Sequence, residues 1–168
     1  MPQHRLLLIR HAGAADGQVD ADRPLTGHGL RQDAAIGTWL VQAGMVPDGV
    51  LVSPARRAAQ TWEQASAALE PGRQPIVDPR IYANTVEALL DAVRETPEDV
   101  RTLAVVGHNP SVAELASTVD DGRGDPVARR ALEAGFPAGG VAVFDLAAAF
   151  ADLTGGSATL TGFRAPGD

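Results

Sequence analysis

A chain of 168 residues with 45% apolar residues suits one folded domain of ordinary size and argues against disorder. It has no cysteine, which excludes disulfides, thiolate metal sites and cysteine nucleophiles. The formal net charge is −7 and all 14 side-chain cations are arginine, a balance unlike that of a nucleic-acid binder.

The first apolar run, Leu6–Ile9, is too short for a signal-peptide core. No stretch approaches the ~18 apolar residues of a membrane span, so a cytoplasmic protein without a membrane partner is expected. Arg5–Ile9 reads as a buried strand that stops at Arg10-His11. A loop follows to about Thr26. A helix is expected from near Gly29, with Ile36, Trp39, Leu40 and Ala43 as its buried stripe and Gly44 and Pro47 as stop signals. Val50–Val52 is a second strand. Ser53-Pro54 has the form of a helix cap followed by proline in the first turn, and Ala58, Trp62, Ala65 and Leu69 form that helix's apolar stripe. Pro75–Val77 is a weak third strand. Val86, Leu89, Leu90 and Val93 mark another helix, for which Asn84 and Glu87 have capping-box spacing. Thr102–Val106 is the clearest buried strand. It runs into Gly107-His108-Asn109-Pro110 and a helix burying Val112, Leu115, Ala116 and Val119. Beyond a loop around Asp120–Pro126 and a helix begun by Pro126, Gly139–Leu146 and Ala158–Phe163 read as late strands. His4 and His28 are expected in solvent, Trp39 and Trp62 in the core. No linker divides residues 1–168, which are expected to form a single domain. The alternation predicts an α/β fold, a mostly parallel sheet with helices on both faces, and such sheets bind ligands beyond the carboxyl ends of their strands.

Arg10-His11, Arg56-Arg57 and His108 all lie just after predicted strands, so one sheet edge can collect them. His108 also precedes Pro110 and a helix N-terminus, whose free N–H groups favour an anion. Two histidines and two arginines in such a place suit a phosphoryl group. Arginine clamps stabilise charge on its oxygens, a neutral imidazole can attack phosphorus, and a second, protonated imidazole can neutralise an oxygen. No pair of histidines has helix-face metal spacing, so no zinc site is expected. Arg23 is expected to pair with a surface acid, and Arg123-Gly124-Asp125 to be a turn.

These residues carry a resemblance. "LLLIRHAGAADG" resembles the opening motif of the histidine phosphatase superfamily, and "DRPLTGHGLRQ" is similar to the next segment of its small SixA-like phosphohistidine-phosphatase branch. "VSPARRAAQTWE" resembles the branch's Ser-Pro-x-x-Arg run, "LAVVGHNPSVAEL" its second-histidine motif, and "FPAGGVAVFDL" and "ATLTGFRAP" its last strands. The resemblance implies a three-layer α/β/α sandwich of the phosphoglycerate mutase-like kind and a phosphatase that needs no metal or other cofactor. It implies His11 as nucleophile and Arg10, Arg57 (not Arg56) and His108 as groups holding the phosphoryl, with Asn109 beside them as a further substrate contact. The third motif residue is Ala12 instead of glycine. Larger members also carry a glutamate proton donor after the third strand; here the acids available are Glu87, Asp16 and Asp22. Glu87 is expected to cap its helix. A phosphate ester's alkoxide needs a proton to leave, worth ~10²–10⁴-fold from a placed acid, whereas the imidazole of a phosphohistidine is protonated near neutral pH. The expected partner is therefore a phosphohistidine-bearing protein such as a phosphorelay domain. The alternatives are a small phosphorylated metabolite or, without turnover, a phosphate-binding module. Oligomeric state is not fixed by the sequence.

Overall fold

The computed structural model describes residues 4–72 and 74–166. In chain order the elements are β1 (His4–Arg10), α1 (Gly27–Ala43), β2 (Gly49–Val52), α2 (Arg56–Ser66), β3 (Ile76–Val77), α3 (Pro79–Ala83), α4 (Val86–Arg94), β4 (Thr102–Gly107), α5 (Ser111–Val119), α6 (Pro126–Glu133), β5 (Val141–Leu146) and β6 (Ala158–Arg164), with short 3-10 turns at Asp20–Asp22 and Phe150–Asp152. One six-stranded sheet has the order β3-β2-β4-β1-β5-β6. β3, β2, β4 and β1 run parallel, β5 is antiparallel to β1, and β6 is antiparallel to β5.

The two faces of the sheet explain why β1 and β4 read as continuous apolar runs. Leu6 and Leu8 of β1, with Leu103 and Val105 of β4, pack against Leu89 and Val93 of α4, Val112 and Leu115 of α5 and Leu132 of α6. Leu7 and Ile9, with Ala104 and Val106, pack against Ile36 and Leu40 of α1 and Ala58 and Trp62 of α2. Side chains alternate across the pleat, so a strand covered on both sides needs an apolar residue at every position. The result is the expected sandwich of helix, sheet and helix.

Several local expectations are corrected. α1 starts at Gly27, capped by Thr26, whose Oγ1 accepts the Gly29 N–H at 3.0 Å. Its buried stripe is Gly29, Asp33, Ile36, Gly37 and Leu40, while Ala43 is exposed. Gly37 stands where α1 and α2 cross closely: a Cβ there would lie 1.9 Å from the Ala65 carbonyl oxygen. α2 starts at Arg56, later than the Ser53-Pro54 signal implies. α4 is capped by Thr85, which accepts the Ala88 N–H at 3.2 Å, so Asn84 and Glu87 do not form the capping pair. Asn84 instead ends α3 in the left-handed region, with φ of 61°. His4 is buried: its Nδ1–H donates to the Val100 carbonyl at 2.9 Å and its ring packs edge-on against Phe150. Trp62 is buried and Trp39 partly so, beneath the guanidinium of Arg164.

Candidate active site

The carboxyl ends of β1, β2 and β4 lie side by side. Arg10 pairs with Gly107 across β1 and β4, and the His11 N–H extends the ladder to the Gly107 carbonyl at 3.1 Å. On the other side, the Gly139 N–H is shared between the Arg10 and His11 carbonyls at 3.0 and 3.1 Å. Gly139 does this at φ of +76°, where a side chain would strain the backbone. The nucleophile candidate thus sits on a backbone fixed from both sides.

The His11 ring is oriented by its own chain. Nδ1 lies 2.7 Å from the Ala12 carbonyl oxygen, which can only accept, so Nδ1 carries the proton and Nε2 is left with its lone pair. Burial, followed by the cationic neighbours Arg57, Arg10 and Arg23, lowers the His11 pKa to about 4; the Ala12 hydrogen bond works in the opposite direction. At neutral pH His11 is therefore an unprotonated imidazole.

His108, only 4% exposed, stands opposite, with ring centroids 5.1 Å apart and planes at 59°. Its Nε2 is hydrogen-bonded to Ser53 Oγ at 2.7 Å, and its buried Nδ1 has no partner. Ser53 therefore serves the pocket instead of capping α2. Burial comes first, then the charges of His11 and Arg57, in lowering the His108 pKa to about 4, with Asp20 pulling upward. Without a phosphoryl group His108 is neutral. A dianion beside it would restore the proton by raising this pKa.

Arg57, 7% exposed, points into the pocket from the first turn of α2, while Arg56 is exposed. Arg10 Nη1 donates to the Phe136 carbonyl at 2.9 Å and its buried Nε has no partner. Asn109 Nδ2 donates to the same carbonyl at 3.0 Å, so Asn109 braces the seat of Arg10, and its buried Oδ1 is unpartnered. Asn84 holds the loop between β4 and α5: its Nδ2 donates to the Asn109 carbonyl at 2.7 Å and its Oδ1 accepts the Ser111 N–H at 3.1 Å.

The carboxylate that reaches the pocket is one that no sequence pattern singles out. Asp20 accepts from Arg57 Nη2 at 3.1 Å, Arg23 Nη1 at 3.0 Å and the Tyr82 hydroxyl at 2.6 Å. These donors, Tyr82 foremost, hold its pKa far below the usual carboxylate range. Asp16, Asp22 and Glu87 are exposed and, among the described residues, make no hydrogen bond or ion pair to Arg10, His11, Arg57 or His108. Arg23 does pair with an acid, but that acid belongs to the pocket, and the charge of Arg23 reaches His11. Tyr82 also packs edge-on against His108, with centroids 5.8 Å apart. Only the position of Tyr82 just after the third strand hints at this wall.

Behind the site, the Ala12 N–H donates to Thr61 Oγ1 at 3.3 Å, and Thr61 Oγ1 donates to the Arg57 carbonyl at 2.9 Å. Asp33 of α1 faces this hydroxyl and is fully buried; burial lifts its pKa to about 7, with the Thr61 hydroxyl acting in the opposite direction. Among the described residues no group of three histidine, aspartate or glutamate side chains is placed to hold a metal ion, and no helix is long and apolar enough to cross a membrane.

Comparison with known proteins identifies the family. Residues 6–82 match the family model of the histidine phosphatase superfamily, branch 1. The chain is 31% identical over 128 residues to the phosphohistidine phosphatase SixA of Escherichia coli, covering 73% of this chain and 78% of that protein. The fold superposes with a TM-score of 0.86 on a protein assigned as the phosphohistidine phosphatase SixA of Nakamurella multipartitia, at 32% identity and covering 97% and 96% of the two chains. It also superposes with a TM-score of 0.79 on the protein histidine phosphatase SixA complexed with tungstate, at 26% identity and covering 96% and 97%. The chain belongs to the histidine phosphatase superfamily, in its SixA-like branch, and is a phosphatase.

Proposed function

We propose that this phosphatase hydrolyses phosphohistidine on a small phosphoprotein, through a phosphoryl group carried transiently on His11. The observation that supports it most is the state of the His11 ring, with Nδ1–H engaged by the Ala12 carbonyl and Nε2 unprotonated beside two arginines. Nε2 attacks phosphorus as the bond from phosphorus to the departing imidazole nitrogen breaks. The Ala12 carbonyl stabilises the positive charge that His11 gains, and the departing imidazole takes its proton from solvent. Arg10 and Arg57 spread the charge on the phosphoryl oxygens, and His108 takes up a proton as the dianion arrives. Water then attacks the phosphorus, the bond to Nε2 breaks, and inorganic phosphate leaves.

The choice of substrate is supported by Asp20. Tyr82, Arg23 and Arg57 keep it a carboxylate, so it has no proton to give in the free protein. A site with no carboxylic acid to protonate an alkoxide favours a phosphorus–nitrogen bond. A protein bearing ³²P-phosphohistidine, mixed with the enzyme and quenched, should leave acid-labile, base-stable label on the peptide holding His11. The label should be absent from His11→Ala, and sugar phosphates should turn over far more slowly. Label found only on His108, or equal turnover of sugar phosphates, overturns the corresponding half of the reading.

A further inference from the structure

In the free protein, the arginine best placed to clamp phosphate is already engaged. Arg57 Nη2 donates to Asp20 Oδ2 at 3.1 Å and Nη1 donates to the Asp20 main-chain carbonyl at 2.9 Å, so both ends of the fork face one residue. The carboxylate also takes Arg23 on its other oxygen and Tyr82 on the same one. A carboxylate with these donors imitates two oxygens of a phosphoryl group. Yet Asp20 lies outside the buried frame of the site. Its side chain is 50% exposed, and it sits at the tip of the loop after β1. The stem of that loop is closed lower down, where the Ala15 N–H donates to the Pro24 carbonyl at 2.8 Å and the Thr26 N–H to the Gly13 carbonyl at 3.0 Å. Residues 16–19, between stem and Asp20, are exposed. The hydrogen bonds that fix the His11 backbone, to Gly107 and Gly139, do not involve this tip.

We propose that Asp20 is a built-in competitor for the phosphate seat on Arg57, displaced when a phosphoryl group binds, and that it thereby sets substrate specificity. This rests on the reading of Arg57 as a phosphate ligand. A bare phosphate or a small ester brings only its phosphoryl oxygens and must evict a group of like charge held by three donors. A phosphoprotein brings further surface, which can contact the displaced tip and offset that loss. Asp20 thus weakens binding of small esters and of product phosphate more than binding of a protein substrate. Because Asp20 stays ionised far into acid, the competition holds across the working pH range.

The test measures binding of inorganic phosphate and tungstate by titration calorimetry, and the kinetics of p-nitrophenyl phosphate and of a phosphohistidine-bearing protein, in wild type, Asp20→Ala, Asp20→Asn and Arg57→Ala. Asp20→Ala should bind both oxyanions about tenfold or more tightly, the factor one charge-assisted hydrogen bond confers. KM for the small ester should fall by a similar factor, and by less for the protein substrate. Asp20→Asn, which keeps an acceptor without the charge, should fall between. Arg57→Ala should lose oxyanion binding. Unchanged or weaker oxyanion binding in both Asp20 variants, while Arg57→Ala still loses it, overturns the competitor and leaves the site intact. The competitor also falls if Asp20→Ala lowers kcat at unchanged phosphate affinity, the signature of a direct part in the chemistry. Oxyanion binding that survives in Arg57→Ala overturns the phosphate seat itself and the competitor with it.

Discussion

Replacing Asp33 by asparagine should stabilise the protein more and more as pH rises. Asp33 is wholly buried beside the Thr61 hydroxyl. Burial raises its pKa from 3.8 to about 7. Between those values the folded chain keeps a proton that the unfolded chain gives up, so stability is lost as pH climbs through that window and the loss levels off above it. A shift of about 3 units corresponds to roughly 4 kcal/mol at ~1.4 kcal/mol per unit. The wild-type profile alone will not show this, because His11 and His108, each lowered from 6.5 to about 4, push stability the other way over pH 4 to 6.5. Asparagine is nearly isosteric and does not titrate, so its fixed packing and hydrogen-bonding costs cancel when two pH values are compared. Urea denaturation of wild type and Asp33→Asn at pH 4 and pH 8 should show the difference between them widening by roughly 4 kcal/mol in favour of asparagine. A difference that stays constant with pH would mean that Asp33 titrates alike folded and unfolded, and would refute the argument.

Three further outcomes follow from the geometry. Arg57→Ala should lower kcat/KM by about 10²–10³-fold, as for loss of a charge-stabilising donor in a closed site, while the exposed Arg56→Ala stays within about threefold; equal losses would shift the register of the motif. The acid limb of kcat/KM should lie near pH 4, where His11, which must be unprotonated to attack, titrates in the free enzyme, and a limb at 6.5 would contradict the burial argument. Gly37→Ala should cost about 3 kcal/mol or more and lower Tm by roughly 6–12 °C, because the added Cβ meets the Ala65 backbone and one helix must move; an unchanged Tm would show that the crossing is looser than described.

The parts of this fold that can be read from sequence are those where local pattern and global environment demand the same residues. β1 and β4 are covered on both faces, so their apolar runs are unbroken, and each ends abruptly beside a histidine of the candidate site. The stripe of α5 is legible for a similar reason. Asp33 is not, because it lies in the polar string Arg31-Gln32-Asp33, and only its placement beneath a close helix crossing makes it buried. Asp20 is hidden because an irregular loop has no period: nothing in Val19-Asp20-Ala21-Asp22 says which carboxylate turns inward. Thr85, not Asn84, caps α4 because Asn84 is needed one step earlier, where the chain turns through the left-handed region and its amide reaches across to the Asn109 loop.

The place of β4 in the sheet bears on when the enzyme can first become active. β1 and β2 do not pair with each other; β4 lies between them, with Arg5 opposite Thr102 and Val52 opposite Val106. A chain emerging from the ribosome at ~5–20 residues per second has made its first three strands well before the one that joins them. During that interval the inner edges of β1 and β2 are open, and open apolar edges are templates for wrong pairing. His11 is already synthesised but has no Gly107 to fix its backbone and no His108 across from it. Insertion of one late strand closes these edges and brings His108 opposite His11, so half-made chains carry the proposed nucleophile without its partner across the pocket.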